Sequence, residues 1–189
     1  MNKHESPREQ AALESLYRRF QPGLQHFASG ILKNPADAAE IVHDVFLAVW
    51  EKREFLSLDQ GLKNYLFRAV KNRCLNQLKR PSLPWTDLDD SLPPAAEPFN
   101  FSEQMNAEET ERIIFEVVEK LPPRCRQIFL LSRLEQLSYK EIAELMDISA
   151  KTVENQMTIA LRFIRDSLYG PKGGGGSKLH SATLKRFLY

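Results

Sequence analysis

The chain is poor in everything from which a chemical site is usually built. It has two cysteines, Cys74 and Cys125, far apart and in no metal-like or redox-like spacing, so both read as reduced thiols. His4, His26, His43 and His180 stand singly, and no Gly-rich phosphate loop occurs before residue 171. No apolar run approaches the ~18 residues needed to span a bilayer. The N-terminus, "MNKHESPREQ", has the wrong pattern for a secretory leader. These absences leave no catalytic, metal or cofactor constellation and no membrane insertion, and they point to the cytoplasm. Bulk charge is also lacking. The formal net charge is +1, so total charge gives no argument for nucleic acid.

What is present is charge sorted into blocks. From Gly61 to Arg80 there are six Lys or Arg and no acid, whereas Thr86 to Glu119 holds ten acids and a single Arg. Segments of opposite sign imply different partners.

The apolar pattern is helical throughout, and no strand-like alternation survives. Leu13, Leu16, Tyr17, Phe20, Leu24, Phe27 and Ile31 share one helical face. Pro22 and "KNPAD" punctuate this run, and Asp37 can cap or start the next helix, where Ile41, Val45, Leu47 and Trp50 supply apolar groups. After a loop at 54–61, a third helix is expected from Leu62 to Lys79 and is stopped by Pro81. Residues 81–102 hold five prolines and four acids and read as a linker. Its aromatics, Trp85, Phe99 and Phe101, either dock on a partner or pack on the chain's own domains. A helix at Glu103–Lys120 follows, then "LPPR", with Pro123 suited to the first turn of the next helix. The expected fold is all-α: a domain at 8–80, a linker at 81–102, and a smaller domain at 103–169.

The stretch "LSYKEIAELMDISAKTVENQM" holds two helix starts close together. Ser138 with Glu141 forms a capping box, and Leu137 with Ile142 a hydrophobic staple. Ser149 can cap a second helix with Ile148 and Val153 as its staple pair. Asp147 sits where the chain must turn, and Asp tolerates such geometry. Two capped helices with a short turn make a helix-turn-helix. Ala143 is small where the helices approach, and Val153 and Met157 face the core. Ser149, Lys151, Thr152, Glu154, Asn155, Thr158 and Arg162 then point outward or flank. Asn can pair with adenine, Glu can accept from cytosine, and cations neutralise phosphate. A plain helical hairpin with a solvated polar face fits the same motif.

Taken together, three stretches resemble bacterial sigma factors of the extracytoplasmic-function group, the promoter-recognition subunits of RNA polymerase. They are "DAAEIVHDVFLAVWEK", "NYLFRAVKNRCLNQLKR" and the segment from "LPPRCRQIF" to "ALRFIR", and the resemblance spans residues 8–169. It implies that Asp37, Glu40, Asp44, Phe46 and Trp50 bind core RNA polymerase, acids steering toward a basic surface and aromatics being buried there. It implies that Lys63, Arg68, Lys71, Asn72 and Arg73, with Lys79 and Arg80, capture the −10 element as single strands, Asn72 beside a flipped base. The loop Phe55–Gly61 would complete that pocket. The helix-turn-helix residues would read the −35 element of promoter DNA. Gln156 stands where a basic residue is frequent in the family, which implies a different −35 preference. The resemblance also implies regulation by an anti-sigma factor. The competing readings are a helix-turn-helix regulator independent of polymerase and a helical adaptor that binds only protein.

Residues 171–177 contain "GGGGS", a flexible linker of the kind used in expression fusions. The peptide 178–189 follows, with Leu184, Phe187 and Leu188 on one face. Residues 171–189 are therefore expected to stand apart from the native fold. The peptide is either a tethered fragment of an anti-sigma partner, contacting the second domain through those three residues, or a disordered tag.

Overall fold

A computed structural model describes residues 7–52, 61–78, 106–169 and 179–188. Residues Phe55 to Gln60 of the expected pocket loop, Lys79, Arg80, and the linker with Trp85, Phe99 and Phe101 lie outside the described residues. Every described element is a helix, in agreement with the all-α expectation. The chain divides into two compact units, residues 1–83 and 84–189.

The first unit is a three-helix bundle of α1 (Pro7–Leu32), α2 (Pro35–Lys52) and α3 (Leu62–Gln77). Phe20, Leu24, Phe27 and Ile31 are buried on α1, facing Ile41, Val42, Val45, Phe46 and Val49 of α2 and Leu66, Phe67 and Val70 of α3. Burying each such side chain stabilises the unit by ~1.5–3 kcal/mol. Phe67 is fully buried and meets Phe27 edge-on at 5.4 Å. Truncating it to Ala would cost ~3–5 kcal/mol.

Two local expectations change here. Pro22 does not interrupt the first run: α1 continues through it. The proline is exposed, so water can satisfy the carbonyl it leaves without a partner, while the flanking Phe20 and Leu24 hold the helix to the core. The break comes at Lys33, which is left-handed (φ 56°). Nor does Asp37 cap α2. Asn34 does so, its Oδ1 accepting from Ala36 N at 3.0 Å, with Pro35 opening the helix. Asp37 lies in the first turn instead, where its charge complements the helix dipole.

The second unit contains α4 (Ala107–Val118), α5 (Pro123–Arg133), α6 (Tyr139–Met146), α7 (Ala150–Tyr169) and α8 (Ser181–Leu188). α4 begins later than expected because Asn106 and Glu109 form a full capping box there. "LPPR" separates α4 from α5, with Pro123 at the first position. Arg126 clamps the junction, donating to the Glu119 and Leu121 carbonyls and pairing with the Glu119 carboxylate at 2.8 Å. Ile113, Ile114, Val117, Ile128, Phe129, Ile142, Met146, Met157 and Ile164 form the core.

Residues 179–188 are packed on this unit. Leu179, Leu184, Phe187 and Leu188 are buried, which is not the disposition of a disordered tag. The Phe187 ring meets Phe115 of α4 edge-on at 5.7 Å. The apolar face of α8 is large for eight residues and removes itself from water on the nearest apolar helix.

Candidate functional site

The helix-turn-helix is built by its caps. Ser138 Oγ accepts from Glu141 N, while Glu141 Oε2 accepts from Ser138 N at 2.8 Å and from the Ser138 hydroxyl at 2.7 Å. Leu137 and Ile142 are buried beside the box. α6 ends at Asp147, which is left-handed at φ 55°, ψ 46°. The amides of Asp147 and Ile148 both donate to the Ala143 carbonyl. That geometry re-aims the chain within two residues. Ser149 then caps α7, its Oγ accepting from Thr152 N at 3.0 Å and sharing a hydrogen bond with the Thr152 hydroxyl.

This arrangement fixes the rotation of α7. Val153, Met157 and Ala160 are buried, so Lys151, Glu154, Asn155, Thr158 and Arg162 are exposed together, with Thr152 half-buried at the edge. Lys151 and Glu154 form an ion pair at 2.8 Å, and the Thr158 hydroxyl donates to the Glu154 carbonyl. One cation on this face is thus partly neutralised. Gln156 is half-buried, and its backbone carbonyl accepts from the Cys125 thiol of α5. Sequence reasoning missed Tyr139 and Lys140, both exposed in the first turn of α6, where a helix N-terminus favours anions.

In the first unit, Glu40 and Asp44 are exposed one turn apart on α2, with Asp37 half-buried a turn before them. Phe46 is buried and meets Tyr17 edge-on at 4.9 Å. Phe46 and Trp50 line an open, mostly apolar groove of about 560 Å³ between α1 and α2, with Leu13, Tyr17 and Leu47. Leu47, expected among the inward apolar groups, is 47% exposed. The inward face of α2 runs through Ile41, Val42, Val45 and Val49, and position 47 falls about 160° from Val45 at that pitch. An exposed leucine in an acid-rich helix is a signal that binary patterning reads as core.

The acid-free segment does not form one cationic face on α3. Arg68 and Asn72, four residues apart, are both exposed and so are neighbours on the helix surface. Lys63 is half-buried. Lys71, expected as a phosphate contact, is only 8% exposed, because its position falls between the inward Val70 and Cys74. Arg73 turns the other way and pairs with Asp44 of α2 at 3.2 Å, the two side chains 41% and 50% exposed. The pair joins a residue of the expected −10 surface to one of the expected polymerase surface. Burial pushes the Cys74 thiol up to about 12, which suits a core residue rather than a nucleophile.

Leu184, Phe187 and Leu188 are all buried, Phe187 against Phe115 of α4. Among the described residues, no helix is long and apolar enough to cross a membrane.

Comparison with known proteins follows the same division. The sigma-70 region 2 family model matches residues 16–82, and the sigma-70 region 4 model matches residues 111–164. Together they span more than half of the chain. The chain is 28% identical over 160 residues to the ECF RNA polymerase sigma-E factor of Escherichia coli (strain K12), covering 79% of this chain and 82% of that protein. The sigma-E factor of Haemophilus influenzae is 26% identical over 146 residues, covering 70% and 75%. Among solved structures, the sigma factor RpoE in complex with the anti-sigma factor NepR from Bartonella quintana aligns at 17% identity and a TM-score of 0.49, covering 82% of this chain and 95% of that one. With region 2 in its first unit and region 4, built around the capped helix-turn-helix, in its second, the chain belongs to the extracytoplasmic-function family of sigma factors.

Proposed function

We propose that this sigma factor docks on core RNA polymerase through its first domain and reads promoter DNA with both domains, by binding and without catalysis of its own. The exposed face of α7 carries the reading: Lys151, Glu154, Asn155, Thr158 and Arg162 stand outward over a buried Val153–Met157 stripe. A helix held so by its own cap can enter a major groove, where Asn155 offers a bidentate pair to adenine and Glu154 an acceptor to cytosine. Ser149 and Thr152 at the helix start, with Tyr139 and Lys140 on α6, suit phosphate positioning.

For the polymerase, the α1–α2 groove supplies the apolar part, through Phe46, Trp50 and Leu47, and the Asp37–Glu40–Asp44 edge supplies steering toward a basic partner. On α3, Arg68 and Asn72 form the strand-capturing stripe, with Lys63 beside it. Lys71 contributes through its buried stem rather than as a phosphate contact. Arg73 serves both faces through Asp44. An anti-sigma protein holds the factor inactive in the cytoplasm.

Run-off transcription with core polymerase and a promoter library tests this reading and reports both elements at once. Start-site selectivity that appears only on adding the protein supports it. Promoter binding as a dimer with no gain in transcription and no co-elution with polymerase would instead establish a polymerase-independent regulator.

A further inference from the structure

The outward face of α7 carries a charge pair in an order that the helix itself does not favour. Lys151 lies in the first turn of α7 and Glu154 follows one turn later, the two joined at 2.8 Å. A cation at a helix start opposes the helix dipole, and an acid–base pair supports a helix better with the acid first. Helix stability therefore does not explain the pair. Both side chains are also well exposed, 70% and 55%, and an exposed pair contributes little to folding. The neighbouring hydroxyls are engaged within the helix, Thr152 with Ser149 and Thr158 with the Glu154 carbonyl. Val153 and Met157 are buried beneath, which keeps the pair on the exposed face with Asn155, Thr158 and Arg162.

We propose that Lys151 and Glu154 act as one unit that reads a single C·G base pair of the −35 element, cytosine on the Glu154 side and guanine on the Lys151 side. The inference deepens the promoter-reading function proposed above and rests on it. In the major groove a C·G pair presents the cytosine N4 donor beside the guanine O6 and N7 acceptors. Glu154 accepts from the first and Lys151 donates to the second. Neither has to leave the other, because an ammonium keeps donors after one is used and a carboxylate keeps a second oxygen. The reversed pair, G·C, sets acceptors against the carboxylate and a donor against the ammonium. A·T keeps one donor and one acceptor, adenine N6 and thymine O4, but replaces guanine N7 with a methyl group. The unit therefore selects both the base pair and its orientation, and in the native chain Lys151 is spent on a base rather than on a phosphate.

The test is run-off transcription with core polymerase on promoters randomised over the −35 element, with the transcribed templates sequenced. The full chain is compared with Glu154→Ala and with the exchanged variant Lys151→Glu/Glu154→Lys. The native chain should favour C·G over G·C at one position by about fivefold or more. Glu154→Ala should lose that preference at that position alone. The exchanged variant can still form the ion pair, with its charges reversed, and should turn the favoured pair there to G·C, an inversion that a merely structural pair would not produce. Where the exchanged variant loses its melting transition, Glu154→Ala decides, and an unchanged preference overturns the unit. Native selectivity without such a C·G position, or a folded exchanged variant that keeps the native preference or loses all preference there, overturns the unit while promoter reading stands. A native chain that confers no −35 selectivity at all overturns promoter reading and the unit with it.

Discussion

Replacing Asp147 tests the turn on which the position of α7 depends. Its left-handed backbone (φ 55°) costs a residue with a Cβ ~1–2 kcal/mol, and Asp less than most. Asp147→Gly removes that cost but adds ~0.5–1 kcal/mol of unfolded-chain entropy. The second domain should therefore gain between zero and about 1 kcal/mol. Asp147→Val puts a β-branched side chain into the same conformation and should lose about 2 kcal/mol or more. For a domain of this size, each kcal/mol moves Tm by ~4–8 °C, so the valine variant should melt ~8–16 °C lower. Calorimetry of the full chain reads this directly, since only the transition of the second domain should move. The glycine variant should keep −35 duplex binding and the valine variant should lose it as α6 and α7 separate. If the two variants melt alike, Asp147 is not left-handed in solution and the account of the turn is wrong.

Glu154→Gln frees Lys151 from its ion pair and should steepen the salt dependence of duplex binding by up to about 0.9 in the logarithmic slope; an unchanged slope would mean that Lys151 reaches no phosphate. A double-mutant cycle on Asp44 and Arg73, both about half exposed, should give a coupling in urea melts of ~0.2–1 kcal/mol, and a value above 2 would show a pair far less solvated than described. Ser167 is buried on α7 with no hydrogen-bond partner among the described residues, so Ser167→Ala should stabilise the second domain by about 1 kcal/mol in denaturant melts. The Cys74 thiol, ordinarily at 9.0, is raised to about 12 by burial. The folded first domain therefore keeps a proton that the unfolded chain releases, and its stability should fall as pH rises from about 9 toward 12, by at most ~1.4 kcal/mol per unit. Melts of the full chain and of Cys74→Ala across that range should diverge, the variant losing less.

The helix-turn-helix was legible because its determinants are local. Ser138, Glu141 and Ser149 act on amides three residues away, and Asp147 needs only its own φ, so the sequence window contains the whole cause. The Asn106–Glu109 box was equally local and readable, but an acid-rich, Pro-rich surround obscured it. What sequence could not show was rotation and reach. Six cations in one run look like one face, yet α3 buries Lys71 and aims Arg73 at another helix. Leu47 reads as core until the phase of α2 is set by its neighbours. The seat of α8 was least accessible. Its partners, Thr110, Phe115 and Arg133, lie more than fifty residues away, and no local pattern names them.

On the proposed reading, in which Asp44 faces polymerase and Arg73 faces DNA, the contact between them makes the two surfaces of the first domain thermodynamically dependent. A cationic ligand that claims the carboxylate hands the guanidinium back for a phosphate, and a phosphate that claims the guanidinium leaves the carboxylate free for a cation. Each occupancy then tightens the other by the same factor, bounded at roughly fivefold for an exchange worth ~1 kcal/mol.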